Sequence, residues 1–412
     1  MEFIADFHIH SKYSRATSKD MDTKHLADWA KLKGISLMGT GDFTHHLWLE
    51  ELKHTLQDCG NGILKYNDIN FILTSEVSSI YSKKGKTYRI HNMIFSPSFE
   101  TVDKINDRLG RIGNLASDGR PILGLDAAEL ARIVFDIDEN CMIVPGHIWT
   151  PWFSLFGSMS GFDKIEDCFE EQSPKIFALE TGLSSDPAMN WRLSALDKFT
   201  LISNSDSHSP HKIGREANVF DCELDYKTIR EVLRTKDRKR FLYTIEFFPE
   251  EGKYHFDGHR LCGVRLSPSE TKQHNGRCPK CGKPVTVGVM NRVEQLADRP
   301  EGFKPQERIP FRSLIPLDEI IAETKGVGKT SVSVERDYLS YIAKFGTEFD
   351  ILLKASGAEL QKHLPPKVAQ GILRMREGKV NIAAGYDGEY GVVSIFDEKD
   401  KEPAGEKQLN LF

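Results

Sequence analysis

Phe3-Ile4-Ala5-Asp6-Phe7-His8-Ile9-His10-Ser11 decides how this chain is read. An apolar run of strand length ends in two histidines spaced i, i+2, and on a strand that spacing turns both rings to the same side. One strand thereby offers two imidazoles to one metal ion, for which imidazole is the commonest ligand. Ligand-type residues recur outward from this stretch. Asp42 and His45 follow the expected strand Ile35-Ser36-Leu37-Met38-Gly39, and Glu76 follows Phe71-Ile72-Leu73-Thr74. His91 lies in Arg89-Ile90-His91-Asn92, His147 follows Met142-Ile143-Val144, and Asp206 and His208 follow Leu201-Ile202-Ser203. Taken singly, each is a helix cap or a satisfied polar group; six such segments in order point to a site. In a parallel α/β barrel the positions beyond strand ends converge on one face, where active sites form.

Between these segments the chain reads as helix. Thr23 to Lys33 has apolar Leu26, Trp29, Ala30 and Leu32 and Gly34 as its stop; Leu47 to Gln57 and Asp126 to Phe135, with Asp126 as N-cap, follow. Lys83-Lys84-Gly85-Lys86 between two strand-like runs signals a hairpin, and a further strand is expected at Ile176-Phe177-Ala178-Leu179. Alternation of this kind over residues 1–222 predicts an α/β barrel or sheet. Mixed imidazole and carboxylate ligation suits zinc, manganese or iron, with magnesium also possible. Glu76 has two oxygens and could bridge two ions, and closely spaced ions suit phosphomonoester or phosphodiester hydrolysis.

A length of 412 residues allows for two or three domains. The composition, 39% hydrophobic and 28% charged, is that of a globular chain rather than a disordered one. No apolar run approaches the roughly 18 residues of a membrane span. Met1-Glu2-Phe3-Ile4-Ala5-Asp6 does not read as a signal peptide, so the seven cysteines are not expected to form a disulfide framework and the expected location is the cytoplasm. A net charge of -5 argues against a chain basic all over, while leaving room for a local basic face. Such a face is expected on a helix over 225–241 carrying Lys227, Arg230, Arg234, Lys236, Arg238, Lys239 and Arg240, and around Arg260, Arg265, Lys272, Arg277, Lys280 and Lys283.

Cys278-Pro279-Lys280-Cys281-Gly282 is a Cys-x2-Cys knuckle, and His259-Arg260-Leu261-Cys262 repeats its spacing with His in the first place, 15 residues upstream. Three cysteines and a histidine make a closed tetrahedral zinc site, with His255 competing for the fourth place; a redox pair fits the surrounding Gly and Pro turns less well. Cys59, Cys141, Cys168 and Cys222 read as buried thiols. Gly326-Val327-Gly328-Lys329-Thr330 lacks the earlier Gly of a nucleotide-binding loop, where Glu323 stands, so ATP binding is rejected. A hairpin between helices, its N–H groups facing a DNA phosphate, is the alternative. Helices are also expected at Leu317 to Thr324, Val334 to Phe345 and Pro366 to Glu377.

His-x-His, the strand-two Asp, the strand-three Glu, two single histidines and the late Asp-x-His resemble the polymerase and histidinol phosphatase (PHP) family over about residues 1–222. That resemblance implies a distorted seven-stranded α/β barrel with a trinuclear metal centre. His8, His10, Glu76 and Asp206 would hold one ion, Glu76, His91 and His147 a second, and a third would use His208. Where the family often has a further His after the first motif, this chain reads Tyr13-Ser14-Arg15-Ala16; where it has Asp-His, this chain reads Asp42-Phe43, with His45 as the substitute. With the segment Tyr243 to Arg260, the single zinc module and the helical C-terminal region, the chain resembles the endonuclease Q family over most of its length. That resemblance implies a DNA repair endonuclease that nicks 5′ of uracil, hypoxanthine, xanthine and abasic sites.

The expected layout is a barrel over 1–222, a basic helix and connector over 223–249, a zinc module over 250–300, a mixed, mainly helical DNA-binding domain over 301–400 and a flexible tail over 401–412. Asp206, Glu76, His8, His10 and His208 are the residues expected to carry the chemistry. Trp149-Thr150-Pro151-Trp152-Phe153, directly after His147, could supply aromatic walls for an unstacked base, or be core. The final Gln408-Leu409-Asn410-Leu411-Phe412 looks like a sliding-clamp peptide, closer to the bacterial β-clamp form than the archaeal one. Two competing readings exist. A phosphatase of a small phosphomonoester leaves the zinc module, basic helix and tail without a role. A non-catalytic DNA-binding adaptor would have lost metal ligands, and the main set is intact.

Overall fold

The computed structural model describes residues 1–397. Its framework is an eleven-stranded mixed sheet. The first strand, Glu2–Asp6, lies inside it, paired in parallel with Leu37–Gly39 and antiparallel with Ala217–Asp221. Leu37–Gly39 pairs in parallel with Ile69–Lys83, which turns back antiparallel as Lys86–Ser96 and then pairs with Met142–Pro145. Ala178–Glu180 and Thr200–Ile202 form a separate parallel pair. Alternation with helices thus gives parallel pairing where a helix crosses over, at Thr23–Lys33 for instance, and antiparallel pairing where the chain turns back at once. Residues Phe3 to Phe7 are all buried, with Phe7 packed between Phe95 and Phe220, so this strand reads as a continuous apolar run rather than an alternation.

The hairpin is longer than the sequence pattern indicates: Ile69–Lys83 and Lys86–Ser96, joined by Lys84 and Gly85, both at positive φ. Two residues in that conformation make the tight turn whose twist matches the flanking strands. Glu76 and His91 therefore lie inside strands, not beyond their ends. Their register places them on one face: His91 is opposite Ser78, two residues along from Glu76.

The expected basic helix is shorter than 225–241. It runs Tyr226–Thr235, capped by Asp225, and ends where Lys236 turns left-handed; Phe241–Glu246 is a strand. Its buried face is Tyr226, Ile229, Val232 and Leu233. Arg234 pairs with Glu231, Arg238 with Glu307, and Arg240 with Asp237. Those bases already have acidic partners, which reduces the positive field left for phosphates.

Four helices, Leu317–Lys325, Val332–Phe345, Gly357–His363 and Pro366–Arg376, follow Phe311–Ser313, which adds a parallel edge strand to the main sheet beside Phe241–Glu246. Glu348 ties this region to the first crossover helix: it accepts from Lys33 Nζ at 2.6 Å, Tyr338 OH at 2.7 Å and Leu317 N at 3.0 Å, all buried. Gly326–Thr330 is the connection between the first two of these helices, with Gly326 as a left-handed C-cap and Lys329 paired to Glu319. Cys141, Cys168 and Cys222 are buried as expected; Cys59 is exposed, because it sits at the outermost edge hairpin rather than in the core. No helix among the described residues is long and apolar enough to cross a membrane.

Candidate metal centre

The sheet brings seven of the nine ligand candidates of residues 1–222 together. Three overlapping groups have their donor atoms within 4.8 Å of one another: His8, His10 and Glu76; His10, Asp206 and His208; and Glu76, His91 and His147. Glu76 divides its oxygens between two of them. Oε1 lies 2.7 Å from His91 Nδ1 and 3.1 Å from His147 Nε2, while Oε2 lies 3.3 Å from His10 Nε2 and 3.5 Å from His8 Nε2. Asp206 Oδ1 stands 3.1 Å from His10 Nε2 and 3.7 Å from His8 Nε2.

Three backbone positions that aim this cluster are left-handed in residues other than glycine: Asp42 at φ 48°, His147 at φ 28° and Asp206 at φ 46°. Such conformations cost about 1–3 kcal/mol each and persist where the surroundings over-determine them. Gly182 helps to do so: a Cβ there would stand 2.4 Å from His147 Cβ.

Each histidine of the first motif is held from behind. His8 Nδ1 is 3.0 Å from Glu180 Oε1, and Glu180 Oε2 also accepts from the His147 N–H at 2.8 Å. His10 Nδ1 is 3.0 Å from Asp42 Oδ1. Both rings are thus turned with Nε2 inward. Asp42 was expected as a ligand, and the structure places it elsewhere. Its Oδ2 accepts from Ser11 N, Ser11 Oγ and Ser14 Oγ at 2.6, 2.7 and 2.9 Å, so both oxygens are committed behind His10. His45, the other expected ligand, is an N-cap position stacked against Tyr13 at 4.5 Å and lies outside the three donor groups. Its ring is sandwiched between those of Tyr13 and His46, at 4.5 and 5.2 Å.

Burial resists charge throughout the cluster, and the carboxylates and imidazoles overcome it together. Burial would hold His8 neutral, yet Glu180, Glu76 and Asp206 raise its pKa well above the usual value. Burial would protonate Glu76, yet His91, Arg120 and His8 hold it well below the carboxylate range. Asp206 is likewise lowered by His8 and His10 against burial. His91 goes the other way: burial dominates and pushes it down to about 4, which leaves a neutral ring able to donate a lone pair.

The donor set fits divalent ions on a direct observation. His8 Nε2, His10 Nε2 and Asp206 Oδ1 are buried and make no hydrogen bond, although His10 and Asp206 are close. A buried polar atom left without a partner costs about 1–3 kcal/mol. Inward-facing imidazole nitrogens backed by carboxylates are the arrangement that ligating histidines adopt.

Glu180 was missed by the sequence reading although it obeys the same rule, standing at the end of the strand Ala178–Glu180. Arg120, whose Nη1 is 3.1 Å from Glu76 Oε2, carried no strand or motif signal. Trp149 is fully buried and donates to Asn190 Oδ1 at 2.8 Å, so it is core. Trp152 and Phe153 instead line a pocket of about 370 Å³ with Tyr254, His255 and Val289. His255 therefore stands in that pocket, and the donor group of the cysteine module is His259, Cys262, Cys278 and Cys281, all within 4.8 Å. The antiparallel pair Asp257–His259 and Val264–Leu266 presents one half of it, and the turn closed by Gly282 N to Cys278 O at 2.8 Å presents the other.

Mixed sheet, inward imidazoles and a shared carboxylate define a metal-dependent hydrolase. The chain is similar over its whole length to two solved structures. The lesion-specific endonuclease PfuEndoQ from Pyrococcus furiosus is 32% identical, with 98% of each chain covered and a TM-score of 0.87. Endonuclease Q in complex with a 27-mer duplex substrate carrying an abasic lesion at the active site is 32% identical, with 100% of each chain covered and a TM-score of 0.85. The chain belongs to the endonuclease Q family. Residues 316–379 match the family model described as the MJ0043 C-terminal domain. Protein MJ0043 of Methanocaldococcus jannaschii is 36% identical over 272 residues, 64% of this chain; the match spans only 33% of that longer protein.

Glu180→Gln replaces an acceptor shared by His8 and His147 with an amide of the same size. We predict that it weakens metal binding about 10- to 100-fold, read by competition with a chromogenic chelator; unchanged affinity would dissociate Glu180 from the centre.

Proposed function

We propose that this protein is a metal-dependent DNA repair endonuclease that nicks the strand 5′ of deaminated bases (uracil, hypoxanthine, xanthine) and abasic sites. The carrying observation is Glu76, whose two oxygens face two separate imidazole groups in a chain alike over its full length to endonuclease Q. His8, His10, Asp206 and Glu76 Oε2 would hold one ion, Glu76 Oε1, His91 and His147 a second, and His208 would complete a third site with His10 and Asp206. We read the framework as the seven-stranded PHP barrel, followed by the connector, the zinc module and the C-terminal DNA-binding region. Zinc, manganese or magnesium in the barrel would polarise the phosphate and activate water. Glu180 and Asp42 keep the His8 and His10 rings oriented throughout, so no side-chain reorganisation is required as the phosphate arrives. Hydrolysis adds water across the P–O3′ bond: the water oxygen bonds to phosphorus, one proton goes to O3′, and the products carry a 3′-hydroxyl and a 5′-phosphate.

A base to be inspected must leave the stack. The pocket of Trp152, Phe153, Tyr254 and His255 has its first lining residue, Thr150, three residues after His147 and suits that task, since Trp152 remains partly exposed and His255 Nδ1 is buried without a partner. The cysteine module is read as a structural zinc site. The protein is expected to work on cytoplasmic, nucleoid-associated DNA, without ATP.

The test uses end-labelled duplexes with one uracil, hypoxanthine, xanthine or abasic site, with Mg²⁺, Mn²⁺ or Zn²⁺ added. A nick immediately 5′ of the lesion is expected. Asp206→Asn should slow it at least about 100-fold while DNA affinity changes less than about threefold. Hydrolysis of a small phosphomonoester with no nick in any duplex would overturn the reading.

Gln408-Leu409-Asn410-Leu411-Phe412 lies outside the described residues and is proposed as a peptide for a sliding clamp, the bacterial β type fitting better. Deleting 408–412 should leave nicking of free oligonucleotides unchanged and abolish binding to immobilised β-clamp. Equal clamp affinity with and without the tail would dismiss it.

A further inference from the structure

Arg120 enters the centre from a segment that neither contributes a donor nor carries a motif. Its Nη1 is 3.1 Å from Glu76 Oε2, the oxygen that also faces His8 and His10. Among the described residues it is the one lysine or arginine paired with a carboxylate of the donor groups, and this is its one side-chain hydrogen bond. A guanidinium carries five N–H donors in a planar fork. Glu76 is fully buried, but the Arg120 side chain is 28% exposed, and none of its remaining donors is a buried atom without a partner, so they are open to solvent or a ligand.

The segment is held tightly for a loop. Gly119 N donates to Tyr13 O at 3.1 Å, Thr44 Oγ1 donates to Gly119 O at 3.2 Å, and Ser78 N donates to Pro121 O at 3.0 Å. Asp118 Oδ1 accepts from Arg120 N at 3.2 Å. Gly119 lies so close to the support of His10 that a Cβ there would stand 2.2 Å from Asp42 Oδ2 and 2.3 Å from Ser14 Oγ. The backbone that carries Arg120 is thus fixed beside His10 by the same Asp42 and Ser14 that support the imidazole, and the Glu76 contact holds the guanidinium at the cluster.

Glu76, Asp206, Asp42 and Glu180 make this a field that repels a phosphodiester wherever positive charge does not offset it. Ions in the donor groups offset part of it, and the rim cation is Arg120. We infer that Arg120 grips a non-bridging oxygen of the scissile phosphodiester with the donors that point out of the cluster, anchored through Glu76. The inference rests on the endonuclease reading and adds a residue to it. A planar fork matches a phosphate edge with two N–H groups, which a lysine cannot do.

The experiment compares wild type, Arg120→Lys and Arg120→Ala on an abasic duplex under single turnover at saturating protein. Bound metal is measured on each, and a second duplex carries a neutral methylphosphonate at the scissile linkage. R120A should cut about 100- to 1,000-fold more slowly, the loss typical of removing one donor to a developing oxyanion. R120K should recover part of this, and both variants should keep their metal. The methylphosphonate penalty of wild type should shrink by about tenfold or more in R120A, because the lost charge and the lost donor belong to one contact. Wild-type rates in R120A, or an undiminished methylphosphonate penalty, overturn the assignment. Loss of metal from R120A also overturns it and makes Arg120 a support for Glu76. A wild type that nicks no lesion duplex fails the endonuclease reading itself, visible before any variant is compared.

Discussion

The structure depends on keeping one carboxylate, Glu76, ionised out of water. An isolated buried charge of this kind costs several kcal/mol or more, and it persists only when opposite charges and donors surround it. Here four histidines and one arginine do so, and they come from four stretches of chain. No one element can assemble such a shell. The mixed sheet does it by running the strand that leads into His8 and His10 beside Leu37–Gly39, by pairing Leu37–Gly39 with the strand that carries Glu76, and by folding that strand back so that His91 falls on the same face.

The positions around the shell show what the arrangement costs. Asp42, His147 and Asp206 all hold left-handed backbone that favours glycine, and all three aim or support a donor. Strain of this kind is tolerated because Asp42 is fixed by four hydrogen bonds and His147 by the Glu180 carboxylate and the flat surface of Gly182. Farther out, the buried Lys33–Glu348 pair joins the crossover helix after the first strand to the C-terminal helices. Removing one partner of such a pair leaves a bare buried charge, so the two regions are held in register by a polar contact as well as by packing.

Much of this was legible in the sequence. The i, i+2 histidines, the order of carboxylates and imidazoles, the hairpin turn and the paired knuckles all follow from local chemistry, and the structure brings His8, His10, Glu76, His91, His147, Asp206 and His208 into contact range. What was not legible depended on register or on distant partners. That Glu76 and His91 sit within long strands follows from how far the hairpin pairs, which a short apolar run does not disclose. Asp42 has a ligand's chemistry, and only the three serine-loop donors and His10 turn it into a support. Glu180 obeys the strand-end rule, but a lone acid at a strand end is ordinarily a cap, and only its contacts with His8 and His147 mark it as a support. Arg120 had no periodicity to mark it, since its place is set by contacts of Gly119 with residues far away in sequence.

The most direct test of this account is anomalous diffraction from crystals of the protein loaded with zinc or manganese. The account predicts ions on both sides of Glu76, one bonded to each oxygen, with His8, His10 and Asp206 around the first and His91 and His147 around the second. With zinc, a separate ion should sit among His259, Cys262, Cys278 and Cys281. A protein that binds no ion at Glu76, or a single ion that leaves one of its oxygens to protein donors alone, would contradict it.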